Sequence, residues 1–205
     1  FVRTRAIRSA TRGRASGGLA IVLGSDAKRA WDDSGQYVRR YGDRVLAIRL
    51  TLRDSEEKAL QVMVACAYAP TSSAREAERV EFLSQLRACV VSRRDREVLM
   101  IGGDFNASLG VRAADESDQC RRRMLGPWGR DRTSPAGNAL LDFMSEHSLC
   151  AALSFFQKKQ YDTWFHPRTG DGLQLDHWLV SQPDAKRMQD AARRPSAAVH
   201  SDHTP

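Results

Sequence analysis

The chain has 205 residues, 41% hydrophobic and 28% charged, with 32 Lys+Arg against 25 Asp+Glu for a formal net charge of +7. That length suits one domain, able to bury roughly 70% of its unfolded surface, and no apolar run approaches the ~20 residues of a membrane-spanning helix. A membrane partner is therefore not expected, whereas the excess of arginine, whose flat fork of donors matches phosphate oxygens, points to a polyanion such as nucleic acid.

The arginines cluster at Arg3-Arg5-Arg8-Arg12-Arg14, Arg93-Arg94 and Arg121-Arg122-Arg123. The competing reading is that they only solvate the surface. The first 25 residues are rich in Arg, Ser and Gly with no acid before Asp26. That composition is shared with organelle transit peptides, but the start at Phe1 favours a fragment of a longer chain. Nothing resembles a secretory signal, so an intracellular protein is expected, with the nucleus among its compartments. Cys66, Cys89, Cys120 and Cys150 form no Cys-x-x-Cys pair and read as reduced, mostly buried thiols.

In chain order, Leu19 to Leu23 reads as a short strand between Gly17-Gly18 and Gly24-Ser25-Asp26. Strands follow at Val45 to Leu52 and Leu60 to Tyr68, the second apolar on both faces as a covered central strand is. After Pro70, Ser73-x-x-Glu76 has the form of a capping box for a helix reaching about Val91, with Val80, Leu83, Leu86 and Val90 on its apolar face. Val98-Leu99-Met100-Ile101 reads as a buried strand stopped by Gly102-Gly103, which sets Asp104 at its C-terminal mouth. Asp115 to Thr133 reads as a polar, Arg-rich loop, and Pro135 to His147 as a helix with Ala139, Leu140, Phe143 and Met144 inward. An apolar stretch covers Leu149 to Phe156. Tyr161 to His166 and Gln174 to Val180 read as strands around a hairpin-like Pro167 to Gly172. No repeat or linker divides the sequence, so one domain, 1–205, of layered α/β architecture with mixed sheets is expected.

Three constellations carry chemistry. In Gly103-Asp104-Phe105-Asn106 the carboxylate and amide, two residues apart after a strand, share a direction while Phe105 faces the core. Such a pair can activate and orient a water, or simply close a turn by bonding its own backbone. Ser201-Asp202-His203 puts a hard anionic ligand suited to Mg²⁺ or Mn²⁺ beside an imidazole suited to proton transfer. Asp176 interrupts the apolar Leu175-Asp176-His177-Trp178-Leu179-Val180 and needs a partner, for which the His203 ring is the candidate. His177 reads as structural. Tyr68 and Trp164 read as core aromatics or, for Trp164, as a platform for a base or sugar.

The order Tyr68-Ala69-Pro70, Gly103-Asp104-Phe105-Asn106, Thr163-Trp164, Leu175-Asp176-His177, Ser201-Asp202-His203 resembles the endonuclease/exonuclease/phosphatase superfamily. Within it, Gly137-Asn138-Ala139-Leu140-Leu141-Asp142-Phe143 and Thr163-Trp164-Phe165-His166-Pro167-Arg168 look like the endonuclease domains of non-LTR retrotransposons and the craniofacial development protein group. The resemblance implies a four-layer sandwich of two mixed β-sheets flanked by helices. It also implies Mg²⁺-dependent phosphodiester hydrolysis, most simply endonucleolytic nicking of DNA, with Mn²⁺ as an alternative ion. By the same resemblance Asp104 activates the attacking water, Asn106 positions it or the phosphate, His203 held by Asp176 serves the phosphate or a proton, Asp202 binds the metal and Tyr68 contacts the phosphate or leaving oxygen. The superfamily's upstream Asn strand and Gln-Glu motif, whose Glu binds metal, have no counterpart here. The sequence is thus expected to be a fragment lacking the first strands and the closing strand. Two other functions stay open: an inactive nucleic-acid-binding remnant, and hydrolysis of a lipid or nucleotide phosphate.

Overall fold

The structure, a computed structural model, describes residues 2–3, 18–53, 56–113, 117–193 and 203–204, the first two by backbone alone. The side chains of the N-terminal arginine cluster, and Ser201 and Asp202, lie outside the described residues. The chain divides into two compact units, Phe1–Gly102 and Gly103–Pro205.

In the first unit, β1 (Val2–Arg3) pairs antiparallel with β2 (Ala20–Ile21). The strand expected to run to Leu23 stops two residues short, because Val22 is exposed and the chain turns at once into a helix. That helix, α1 (Ser25–Asp33), was not anticipated from the Gly-Ser-Asp turn signal. It gains an exposed Lys28–Asp32 pair at 2.6 Å and buries Ala30. Strands β3 (Val38–Tyr41), β4 (Val45–Arg53) and β5 (Ala59–Tyr68) form an antiparallel meander, with Leu46 opposite Cys66 and Ile48 opposite Val64. Ala30, Ile48, Leu50, Val62 and Val98 form a core cluster, against which Trp31 and Leu60 pack.

Helix α2 (Glu76–Val91) occupies its expected span but not for the expected reasons. The residue before it is Arg75, with no side-chain cap, and the Ser73 hydroxyl meets Thr71 instead, so the capping box does not form. Phe82, Leu86 and Cys89 are the buried positions, while Val80 is exposed. The inward face is thus rotated from the predicted one by the aromatic Phe82, whose larger apolar area outweighs that of Val80. Within β4, Arg49 is buried and its guanidinium lies 3.9 Å over the Tyr37 ring. It donates to Glu97 at 2.8 Å and to the Ser92 carbonyl at 2.9 Å.

Strand β6 (Val98–Asp104) runs through Gly102-Gly103 rather than stopping there, and carries Gly103 and Asp104 into the second unit. The glycines do not end the strand because φ at Gly103 is +152°, a conformation open to glycine that lets the chain continue. The segment read as a loop from Asp115 to Thr133 contains α3 (Gln119–Met124), capped by Asp118 and anchored by buried Met124 and Leu125. Its three arginines obscured the short helix. Helix α4 (Pro135–Glu146) starts as predicted, with the Ser134 side chain accepting from the Gly137 N–H, and it buries Leu140, Phe143 and Met144.

Strand β7 (Leu149–Ala151) continues into a 3-10 turn over Ala152–Phe155. The strand expected over Tyr161 to His166 is reduced to β8 (Trp164–Phe165), and its hairpin partner is β9 (Gly172–Leu173), which begins inside the expected turn, rather than the segment from Gln174 to Val180. Strand β10 (Asp176–Ser181) is antiparallel to β7, with Val180 opposite Cys150. The mixture of strands and helices bears out the α/β class. Among the described residues no helix is long and apolar enough to cross a membrane.

Candidate active site

Phe105 is 2% exposed and roots the turn after β6 in the core, and its N–H donates to the Leu175 carbonyl at 3.0 Å. Asp104 and Asn106 therefore point away from the core together, as their spacing requires. Asn106 has φ +47°, a left-handed conformation that asparagine tolerates. Its backbone N–H donates to Asp104 Oδ1 at 2.8 Å and its amide to Oδ2 at 3.3 Å. The turn-closing and site-forming readings of this tetrapeptide are thus compatible: the bond that closes the turn also fixes the carboxylate.

Across from it, Asp176 opens β10 and His203 lies near the C-terminus. His203 Nδ1 lies 2.9 Å from Asp176 Oδ2, and His203 Nε2 lies 3.8 Å from Asp104 Oδ2. The first is a charge-assisted hydrogen bond, which places the proton on Nδ1 and turns Nε2 toward Asp104. The second exceeds hydrogen-bond length, and one oxygen atom can sit within reach of both groups. All three side chains are partly accessible, at 16% for Asp104, 29% for Asp176 and 28% for His203. A cavity of about 210 Å³ opens beside Asp176, with Gly103, Leu153, Thr163, Trp178 and Arg193 in its wall.

His177, next in sequence to Asp176, points the other way. It is 5% exposed, its Nε2 bonds the Ala107 carbonyl at 2.7 Å, and burial pulls its pKa down against the opposing effect of that bond. The structural role read from the sequence is the observed one. Trp164 is half-buried, edge-on to His166 at 5.7 Å, and its backbone bridges His203. Tyr68 closes β5 in the first unit, with the Arg44 guanidinium 5.7 Å from its ring.

Asp202, the expected metal ligand, falls outside the described residues. Among those described, no group of three or more His, Cys, Asp or Glu could hold a metal ion. Asp104 supplies one hard carboxylate, which by itself does not make a divalent-ion site.

One ion pair escaped the sequence reading. Asp162, 7% exposed, receives Arg130 Nε at 2.6 Å and Nη2 at 2.8 Å. The partners are 32 residues apart, and neither has a local signature.

No protein-family model matches the chain. The catalytic domain of Xenopus laevis APE2 superposes with a TM-score of 0.55 at 17% identity, covering 79% of this chain and 53% of that one. The endonuclease domain of TRAS1, a telomere-specific non-LTR retrotransposon, gives 0.54 at 15% identity, covering 82% and 65%. The chain has the endonuclease/exonuclease/phosphatase fold. Its sequence is similar to Craniofacial development protein 2 of Tragulus javanicus, 28% identical over 163 residues. That match takes in 78% of this chain and 26% of the relative, so the chain spans about a quarter of that protein's length. The resemblance drawn from the ordered motifs is therefore borne out.

Proposed function

We propose that this chain carries a phosphodiester-hydrolysing site built on Asp104, Asn106, Asp176 and His203, and that its substrate is DNA. The observation that carries the reading is the relay Asp176 Oδ2, His203 Nδ1, His203 Nε2, Asp104 Oδ2, with separations of 2.9 Å and 3.8 Å at its two ends. The nuclease fold and the net charge of +7 support it.

Asp104 accepts the proton of the attacking water, and Asn106 holds Asp104 and orients that water. His203, its ring set by Asp176 and carrying a proton on each nitrogen as the imidazolium, donates through Nε2 to a phosphate oxygen and stabilises the charge that develops there. Tyr68 contacts the phosphate or leaving oxygen. Trp164 stacks on a base or sugar near the cut. Asp202 would hold a Mg²⁺ ion, with Mn²⁺ as a substitute, in this proposal. Such an ion polarises phosphoryl oxygens and lowers the pKa of bound water.

Supercoiled plasmid incubated with the chain and Mg²⁺ tests this. Nicking by the wild type, lost in Asp104→Ala and His203→Ala, is the expected result. Equal conversion by all three proteins would remove the site.

A further inference from the structure

Thr163 is 4% exposed and sits between Asp162 and β8. Its hydroxyl oxygen accepts two consecutive backbone N–H groups, those of Leu175 and Asp176, each at 3.0 Å. Consecutive amides of a straight strand point in opposite directions, so one acceptor for both marks a bend where the chain enters β10. The hydroxyl satisfies both donors and thereby fixes the bend.

The same residue holds the histidine side. The Thr163 carbonyl accepts the Thr204 N–H at 2.7 Å, and the following residue, Trp164, bridges His203. Its own N–H donates to the Leu173 carbonyl at 2.9 Å, which locks it to β9. The third site segment is one residue away, because Leu175, bonded through its N–H to Thr163, accepts the Phe105 N–H through its carbonyl. Thr163 is thus joined directly to the backbones of Asp176 and Thr204, and through Leu175 to the Asp104-Phe105-Asn106 turn.

Its own position is braced from the preceding residue. The Asp162 carboxylate takes the two-pronged bond from Arg130, whose Nη2 also reaches the Gly172 carbonyl at 3.3 Å. The Asp162 carbonyl accepts Arg193 Nη1 at 2.9 Å. Two guanidinium groups therefore clamp the residue before Thr163, one by its side chain and one by its backbone.

We infer that Thr163 is a positioning residue for the Asp176–His203 pair. Its hydroxyl directs Asp176 into β10, its carbonyl sets where His203 lies, and the Arg130–Asp162 ion pair keeps it in place. It acts through the backbone segments that carry Asp176 and His203. The assignment rests on the hydrolytic site proposed above for its consequence in catalysis, but its structural content can be read without turnover.

Thr163→Val keeps the side-chain shape and removes the acceptor, whereas Thr163→Ser keeps the hydroxyl. The first readout is the hydrogen-bonded Nδ1–H proton of His203 in the NMR spectrum of the full chain, assigned by its disappearance in His203→Ala. It is expected to persist in Thr163→Ser and to broaden or vanish in Thr163→Val at a temperature where both are folded. The second readout is plasmid nicking, where kcat falls in Thr163→Val by on the order of a hundredfold at unchanged KM and returns in Thr163→Ser. A Thr163→Val protein that keeps the resonance, and wild-type kcat where there is turnover, overturns the assignment. Absence of hydrolysis in the wild type would sink the proposed function while leaving the resonance to decide the positioning role. If Thr163→Val does not fold, Arg130→Met loosens the brace with the hydroxyl still present. Broadening of the same proton is then expected, and an unchanged resonance contradicts the proposal.

Discussion

Asp176 and His203, 27 residues apart in sequence, meet at 2.9 Å through one carboxylate oxygen and one ring nitrogen. Asp176 is the only acid in an otherwise apolar run from Leu175 to Val180, and at the start of β10 its partly exposed carboxylate is partnered by this bond. Asp176→Asn still accepts a hydrogen bond but no longer stabilises an imidazolium. Hydrolysis is expected to drop by about 10² to 10⁴ with the fold retained. Circular dichroism alongside the nicking rate separates this outcome from unfolding.

The first unit offers a test of stability independent of any activity. Arg49 and Glu97 have side chains only 6% and 1% exposed, with 2.8 Å between them. Removing one partner leaves the other charge buried and uncompensated, so Glu97→Gln or Arg49→Met should cost about 3 to 5 kcal/mol. Urea denaturation would show it as a lowered midpoint. A loss below about 1 kcal/mol, the size of a surface pair, would contradict the buried geometry.

His177 makes a prediction in pH. Unfolded, it takes up a proton near its ordinary value of 6.5, while burial in the fold holds its proton affinity lower. The folded protein then binds fewer protons than the unfolded chain, so this contribution to stability is full above pH 6.5 and declines as the pH falls below it. Between pH 7 and 5 the unfolding free energy should fall more steeply in the wild type than in His177→Gln, whose amide can still donate to Ala107. Parallel slopes would show that His177 is not buried neutral.

Gly172 tests the brace beside Thr163. A Cβ there would lie 2.4 Å from Asp162 Cγ and 2.6 Å from its Oδ2, too close to coexist with the present carboxylate position. Gly172→Ala should therefore displace Asp162 from Arg130 and cost about 1 to 3 kcal/mol, comparable with losing a hydrogen bond to a charged group. The thermal midpoint of Gly170→Ala is the control for the loss of a hairpin glycine, since its Cβ would meet nothing within 4 Å although φ is +74°.

What the sequence made legible follows periodicity and adjacency. The two long strands, the helix from Pro135, the inward Phe105 and the structural His177 all rest on alternation or spacing that neighbouring residues enforce. The pairing of Asp176 with His203 was legible because a carboxylate in an apolar strand demands a partner, and few were on offer. The failures lie where tertiary contacts decide. Ser73 has the sequence of a cap but bonds Thr71, and α2 turns Phe82 inward in place of Val80. Arginines disguised α3 as a loop, although Met124 and Leu125 bury its end. The Arg130–Asp162 pair and the double bond to the Thr163 hydroxyl join segments far apart in the chain, and no local pattern encodes them.

The most direct measurement is a double-mutant cycle on DNA nicking with Asp176→Asn, His203→Ala and the combination, at fixed Mg²⁺ and salt. If Asp176 acts through the His203 ring, the double variant should be no slower than His203→Ala alone, because removing the ring leaves Asp176 nothing to orient. Rate losses that multiply, or nicking that none of the substitutions alters, would contradict the account.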